Sequence, residues 1–193
     1  MKMADNFIEV YDNALSADEC QRLINYYKKY PKVRGSVFAE DPDEGGRITS
    51  HIDCKYKDAW ELSEPRFSDN SVCSSILYEA LGRCIAKYLK KYKSLNWLNH
   101  WKYDDLYTVK CFEGEGGGFK VWHTEHGPGP SSHRVLVWSF YLNKAQGTEF
   151  MHFPNIRARM GRCVIWPANW PYVHRSAPNK GVKYYVSGWI SYE

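Results

Sequence analysis

From Asp105 to the C-terminus, this chain is written in short runs rich in Tyr, Val, Trp and Phe, each broken after a few residues by Gly, Pro or Asn. Runs of that length and composition read as β-strands. The breaks leave no room for amphipathic crossover helices, which parallel neighbours require, so the sheet is predicted to be mainly antiparallel. Two such sheets packed face to face make a double-stranded β-helix, or jelly roll, in a fold that is mainly β with flanking helices. Strands are predicted near residues 105–112, 119–125, 134–142, 148–153, 160–166 and 182–192.

The first hundred residues supply the helices. Phe7 to Tyr11 reads as a short strand, and Ser16-Ala17-Asp18-Glu19 has the S-x-x-E form of a capping box. A helix starts there, with Cys20, Leu23, Ile24 and Tyr27 at helical spacing, and stops before Pro31. A longer helix is predicted over residues 71 to 92. Its stripe of Val72, Ile76, Leu77, Ala80, Leu81, Cys84, Ile85, Tyr88 and Leu89 is wide enough to cover the outside of a sheet. Residues 32 to 70 are mostly polar, with turn signals at Asp41 to Gly46 and at Ser63-Glu64-Pro65, and read as a long loop of the kind that often carries function. The expectation is one domain over 1–193, with 1–100 as helical support and substrate-loop region and 104–193 as the jelly-roll core.

Charge and cysteine content narrow the partners. The net charge of +4 is spread out, and its densest cluster, Lys87, Lys90, Lys91 and Lys93, interleaves with the stripe of the second helix as a solvated face. Nucleic-acid binding is therefore not expected. Six cysteines without a CxxC pair suit reduced thiols in a cytoplasmic setting. Met1 to Asn6 is no secretory start, and no apolar run approaches the roughly 20 residues of a membrane span, so no membrane partner is expected either.

The chemistry concentrates in His123, Glu125 and His174. In the extended run Val121 to Glu125, side chains two apart share a face, so one strand can offer His123 and Glu125 to one metal while His174 arrives from another. Two imidazoles and a carboxylate are the set that holds a reactive non-haem iron, leaving three positions of an octahedral ion open. Further on, Val182 to Ile190 alternates: Lys183, Tyr185, Ser187 and Trp189 on one face, Val, Tyr, Val, Gly and Ile on the other. A lysine at mid-strand either snorkels to solvent or meets an anion, and a carboxylate-bearing co-substrate would be that anion.

Four blocks carry a resemblance: Cys111-Phe112 through Trp122-His123-Thr124-Glu125; Trp138 to Asn143; Gly147-Thr148-Glu149-Phe150; and Trp166 through His174, Lys183 and Trp189. Together they resemble the Fe(II)/2-oxoglutarate-dependent dioxygenases, specifically the prolyl 4-hydroxylase-like group, and the tract Gly116 to His123 resembles phage-encoded members. The resemblance implies a jelly roll with the metal inside one open end, using Fe(II), 2-oxoglutarate and O2, with ascorbate as an auxiliary reductant. It implies His123, Glu125 and His174 as metal ligands, Lys183 and Tyr141 as holders of the distal carboxylate of 2-oxoglutarate, and Ser187 and Trp189 as lining of that pocket. It also admits a virus-encoded protein acting in a host cytoplasm. Two positions depart from the group: Glu125 stands where Asp is usual, and Phe112 where many prolyl hydroxylases have Tyr. Halogenating relatives lack the carboxylate ligand, so Glu125 favours hydroxylation.

Three functions remain open on the sequence: hydroxylation of a prolyl residue in a protein or peptide, hydroxylation of a small molecule such as a free amino acid, and a non-catalytic metal-binding jelly-roll module. Trp122, Trp166 and Trp170 lie beside the metal blocks and His126 follows Glu125, so these four are the candidate substrate-facing residues. His51, His100, His133 and His152 have no partner spacing. Arg157 and Arg159 read as a solvated hairpin or a receiver for an acidic substrate. Gly114 to Gly118 lacks the lysine-serine ending of a phosphate loop and reads as a hairpin.

Overall fold

Ser16 caps the first helix as its sequence requires. Its Oγ accepts from the Glu19 backbone N–H at 3.2 Å, while the Glu19 carboxylate accepts from the Ser16 backbone at 2.7 Å. Helix α1 runs Ala17–Lys29, with Asp18 and Glu19 in the first turn and Lys28 and Lys29 in the last, as the helix dipole favours. It ends where Tyr30, ahead of Pro31, turns extended. Helix α2 spans Val72–Lys91. The computed structural model describes residues 5–193 except 42, 44, 46, 66–71, 98 and 99. Met1 to Ala4, residue 71 and the Val72 side chain therefore lie outside the described residues. Among those described, no helix is long and apolar enough to cross a membrane.

The strands are β1 (Glu9–Tyr11), β2 (Val33–Arg34), β3 (Val37–Asp41), β4 (Arg47–His51), β5 (Lys57–Asp58), β6 (Trp60–Pro65), β7 (Trp101–Tyr103), β8 (Leu106–Phe112), β9 (Gly118–Phe119), β10 (Arg134–Tyr141), β11 (Ala145–Phe150), β12 (Ile156–Ala158), β13 (Arg162–Pro167), β14 (His174–Ser176) and β15 (Lys183–Tyr192). The main sheet has the order β1-β13-β10-β15-β8-β6-β2, with β7 also on β15, and the facing sheet is β12-β11-β14. Every strand pairing among the described residues is antiparallel, in keeping with a jelly roll.

Period two divides the main sheet into two faces. Outward, Leu136, Trp138 and Phe140 of β10 with Val186 and Ile190 of β15 join Leu23, Leu77, Leu81 and Tyr88 of the helices in one core. Inward, Val137, Tyr141, Val164 and Trp166 meet Phe150 and Ala158 of the facing sheet in a second, smaller core. Gly188 belongs to the outer packing: a Cβ there would stand 2.3 Å from the Trp138 ring.

Two expectations change. Residues 32–70 are not a long loop but contain β2 to β6, and Ser63-Glu64-Pro65 ends β6 rather than making a turn. The polarity that suggested a loop has another cause, since Glu61 of β6 faces the interior cavity while Leu62 is buried on the opposite side. The turn signal at Asp41 to Gly46 falls between the end of β3 and the start of β4, and its residues 42, 44 and 46 lie outside the described part. The strand expected over 119–125 shrinks to Gly118–Phe119 on β5, plus an isolated bridge between His123 and His174. Beyond it, Glu125 and His126 both donate backbone N–H groups to the Ala168 carbonyl, which turns the chain out of strand conformation.

Candidate metal centre

His123 and His174 are held side by side by their backbones, which exchange N–H···O bonds of 3.0 and 2.9 Å. Each imidazole then bonds a carbonyl two residues back: His123 Nδ1 to Val121 O at 3.0 Å and His174 Nδ1 to Tyr172 O at 2.9 Å. A carbonyl oxygen can only accept, so both Nδ1 atoms carry the proton and both Nε2 atoms present a lone pair. Glu125 Oε1 lies 3.7 Å from each Nε2. The ligand atoms of the three residues lie within 4.8 Å of one another.

The surroundings keep this set rigid and charged for a cation. The ring of Phe119 stacks on His123 at 3.7 Å between centroids, and Trp166 meets His174 edge-on at 5.2 Å. Burial pushes the Glu125 carboxyl up, but His123 and His174 beside it outweigh that and hold it well below the usual carboxylate range. Burial, with His174 adding repulsion, pushes His123 down, so its imidazole is neutral and free to ligate. The second oxygen of Glu125 is occupied: Oε2 accepts from Trp189 Nε1 at 3.0 Å and from Arg134 Nη1 at 3.2 Å. The Arg134 guanidinium lies 3.6 Å above the Trp189 ring, so the two donors brace each other. One carboxylate oxygen and two imidazole nitrogens thus remain for a metal, a donor set that suits non-haem Fe(II).

The three donors open into a cavity of about 590 Å³ between the sheets. Lys183 lies in its wall, 2 % exposed, and its Nζ donates to Gly147 O at 2.8 Å. No carboxylate among the described residues pairs with it. Burial, with Lys110 adding repulsion, pushes its ammonium down to about 7. Ser187 Oγ and Trp166 Nε1 line the same cavity, buried and without a hydrogen-bond partner. An ammonium without a carboxylate partner among the described residues and unsatisfied polar atoms in the same cavity as the donor set fit a small dianion that reaches from the metal to Lys183.

The cavity wall includes Lys183, Ser187 and Trp189, and of the substrate candidates Trp166 and His126. Trp122 and Trp170 are not in the lining: Trp122 stacks under Arg175 at 4.4 Å, and Trp170 is 73 % exposed. Tyr141 is buried behind Lys183, its hydroxyl 2.6 Å from Thr148 Oγ1, and it is Tyr185 that lines the cavity. Arg157 is exposed and Arg159 pairs with Asp12 at 3.8 Å, both away from the cavity. Sequence reasoning missed Arg134, Lys110 and the Lys57–Glu61 pair. For Lys110 the signal was present, since Thr108, Lys110 and Phe112 alternate on β8 as Lys183 to Trp189 do on β15.

Comparison with known proteins gives a consistent picture. Residues 107–191 match the family model of the 2OG-Fe(II) oxygenase superfamily. No curated protein sequence matches the chain. Among solved structures, a viral collagen prolyl hydroxylase from Paramecium bursaria Chlorella virus-1, in its 2OG complex, has a TM-score of 0.63 at 16 % identity, covering 97 % of each chain. A prolyl hydroxylase from Trichoplax adhaerens, in complex with a hypoxia inducible factor peptide fragment, has a TM-score of 0.66 at 14 % identity over 96 % of this chain and 84 % of its own. A Pseudomonas putida prolyl-4-hydroxylase has a TM-score of 0.65 at 11 % identity over 96 % and 93 %. At such identities the likeness speaks for the fold, and it is the family match over β8 to β15 that speaks for the chemistry: residues 107–191 resemble the 2OG-Fe(II) oxygenase superfamily, whose dioxygenases use Fe(II), 2-oxoglutarate and O2, and they contain the His123, Glu125 and His174 donor set.

Proposed function

We propose that this oxygenase hydroxylates an unactivated C–H bond of a prolyl residue in a protein or peptide, with His123, Glu125 and His174 holding Fe(II) and Lys183 anchoring the distal carboxylate of 2-oxoglutarate. One observation carries the reading: three metal donors and an ammonium without a carboxylate partner face the same cavity. The prolyl choice is supported by structural neighbours named as prolyl hydroxylases, one of them in complex with a peptide.

In this reading iron, 2-oxoglutarate and O2 together supply the oxidant for the C–H bond, and the keto acid leaves as succinate and CO2. The protein's own part is positional. The carbonyls of Val121 and Tyr172 fix which nitrogen of each histidine faces the metal. Trp189 and Arg134 hold one oxygen of Glu125, so the longer Glu side chain offers its other oxygen in a defined direction. Phe119 and Phe150 cover the imidazoles with apolar rings and restrict water there.

Anaerobic addition of Fe(II) and then 2-oxoglutarate tests the centre. The expected result is a visible charge-transfer band of the metal-bound keto acid that disappears in His174→Ala, and an unchanged band in that variant would remove the ligand assignment. Product mass after turnover with prolyl peptides then tests the substrate: a gain of one oxygen on proline supports it, and none with steady succinate release from another substrate overturns it.

A further inference from the structure

Lys110 has no role in the reading above, although it lies in the middle of the site. It is on β8, directly across from Tyr185 on one side and Glu61 on the other, with its side chain in the cavity wall. Only 7 % of the residue is exposed. Its ammonium has aromatic neighbours, the Tyr185 ring at 5.3 Å and the Trp189 ring at 5.8 Å, and among the described residues it has neither a hydrogen-bond acceptor nor a carboxylate within 4 Å. A buried ammonium left in that condition is costly.

The charges of the cavity show what is missing. Of its cations, Lys57 pairs with Glu61 at 2.8 Å, Arg134 with Glu125 at 3.2 Å and Arg175 with Glu149 at 2.8 Å. Lys110 and Lys183 remain, close enough that Lys110 pushes the Lys183 ammonium down. A divalent metal and the 2-oxoglutarate dianion cancel in net charge, so loading the site leaves the excess of two positive charges in place. Lys183 is anchored to Gly147 O of the facing sheet, whereas Lys110 lies one strand farther toward β6, beside the Lys57–Glu61 pair. Burial and repulsion from Lys110 push Lys57 down as well, against the pull of Glu61. This flank of the cavity therefore calls for one more negative charge after the co-substrate is bound.

We propose that Lys110 is a specificity residue that pairs with a carboxylate of the molecule being oxidised, so that the substrate is an acid close to its point of attack. The proposal rests on the oxygenase reading and deepens it. Two sources share the chemistry: the carboxylate of a free or C-terminal amino acid, and an acidic side chain next to the target residue in a peptide.

The test uses acid and amide pairs with the Fe(II)-loaded protein: L-proline against L-prolinamide, acetyl-Glu-Pro-Gly-amide against acetyl-Gln-Pro-Gly-amide, and L-leucine against L-leucinamide. Succinate release gives kcat/KM, and calorimetry on Mn(II)-loaded protein gives the affinities for 2-oxoglutarate and, with it bound, for each probe. The wild type is expected to prefer the acid of at least one pair by about tenfold or more, as for a charge-assisted hydrogen bond lost to the amide. Preference within the first pair points to an amino-acid carboxylate and within the second to an acidic side chain. Lys110→Met is expected to bring that ratio to about one while 2-oxoglutarate affinity stays within about twofold, and Lys110→Arg to restore part of it. Equal use of acid and amide in every pair overturns the proposal, as does a preference that survives Lys110→Met. So does a 2-oxoglutarate affinity that falls in Lys110→Met as far as in Lys183→Met, which would make Lys110 a co-substrate residue. A leucine preference abolished by Lys110→Met, with no turnover of any prolyl probe, keeps Lys110 and removes the prolyl reading alone.

Discussion

The two faces of β15 are made by the same ten residues and obey opposite rules. Outward, Val186, Gly188 and Ile190 close against helices and aromatic rings. Inward, Lys183, Tyr185 and Ser187 present an ammonium, a phenol and a hydroxyl to a cavity, and Trp189 gives its indole N–H to Glu125. One face is stabilised by what it already touches, while the other holds polar groups that burial makes unfavourable until a ligand arrives. If the inner face serves a ligand, function should lower stability in the same strand that the outer face stabilises.

Paired substitutions should separate the faces with opposite signs. Trp138, fully packed on the outer face, is expected to cost about 3–5 kcal/mol of unfolding free energy when changed to Ala. Lys183→Met on the inner face is expected to stabilise the metal-free protein by ~1 kcal/mol or more, because Gly147 O keeps a bond from the Ala177 backbone at 3.1 Å when the ammonium is gone. The same variant should lose most of its 2-oxoglutarate affinity and retain its metal affinity. Denaturant unfolding and metal titration decide. Equal destabilisation by both substitutions would make Lys183 a structural residue.

Lys183 also makes the inner face sensitive to pH. Its ammonium is held at about 7 against an ordinary 10.5, so the folded protein gives up this proton more readily than the unfolded chain. The cost of burying the charge is fully present below pH 7, shrinks as pH rises, and is gone above 10.5. Wild type should therefore gain stability over Lys183→Met across that interval, by up to about 1.4 kcal/mol per pH unit. A carboxylate beside the ammonium restores its affinity for the proton, so 2-oxoglutarate binding at pH 8 should take up a proton in the wild type. Calorimetry in buffers of different ionisation enthalpy measures it, and no difference from Lys183→Met would place the distal carboxylate elsewhere.

What the sequence revealed follows the same division. The capping box at Ser16, the stripe of α2 and the alternation of β15 are local patterns, and each appears in the structure where its residues lie. Local patterns failed where the cavity or distant backbone decides conformation. Glu61 makes β6 read as loop because its inward face is polar for the cavity's sake. Glu125 leaves the strand expected at 119–125 because its backbone bonds Ala168, forty-odd residues away in the chain. Tyr141 matched the family pattern, yet its hydroxyl is engaged by Thr148 and Tyr185 forms the wall instead. His123, Glu125 and His174 were legible as residue types able to hold a metal, and the structure brings them together, whereas the clamp of Arg134 and Trp189 on Glu125 depends on a register between β10 and β15 that no spacing states.

That clamp yields the smallest effect and the finest distinction. Trp189→Phe removes the N–H at 3.0 Å from Glu125 Oε2 and leaves a ring for Arg134 to stack on, with Arg134 still 3.2 Å from the same oxygen. If Trp189 acts by orienting Glu125, metal affinity should fall about tenfold, the lower end for groups that hold a ligand in place. The affinity of metal-loaded protein for 2-oxoglutarate should then change little. The opposite result, unchanged metal affinity with weakened 2-oxoglutarate binding, would make Trp189 part of the co-substrate pocket, as the family resemblance implies. The inner face would then serve the keto acid along all of its length, from Lys183 to Trp189, and Arg134 alone would hold the carboxylate.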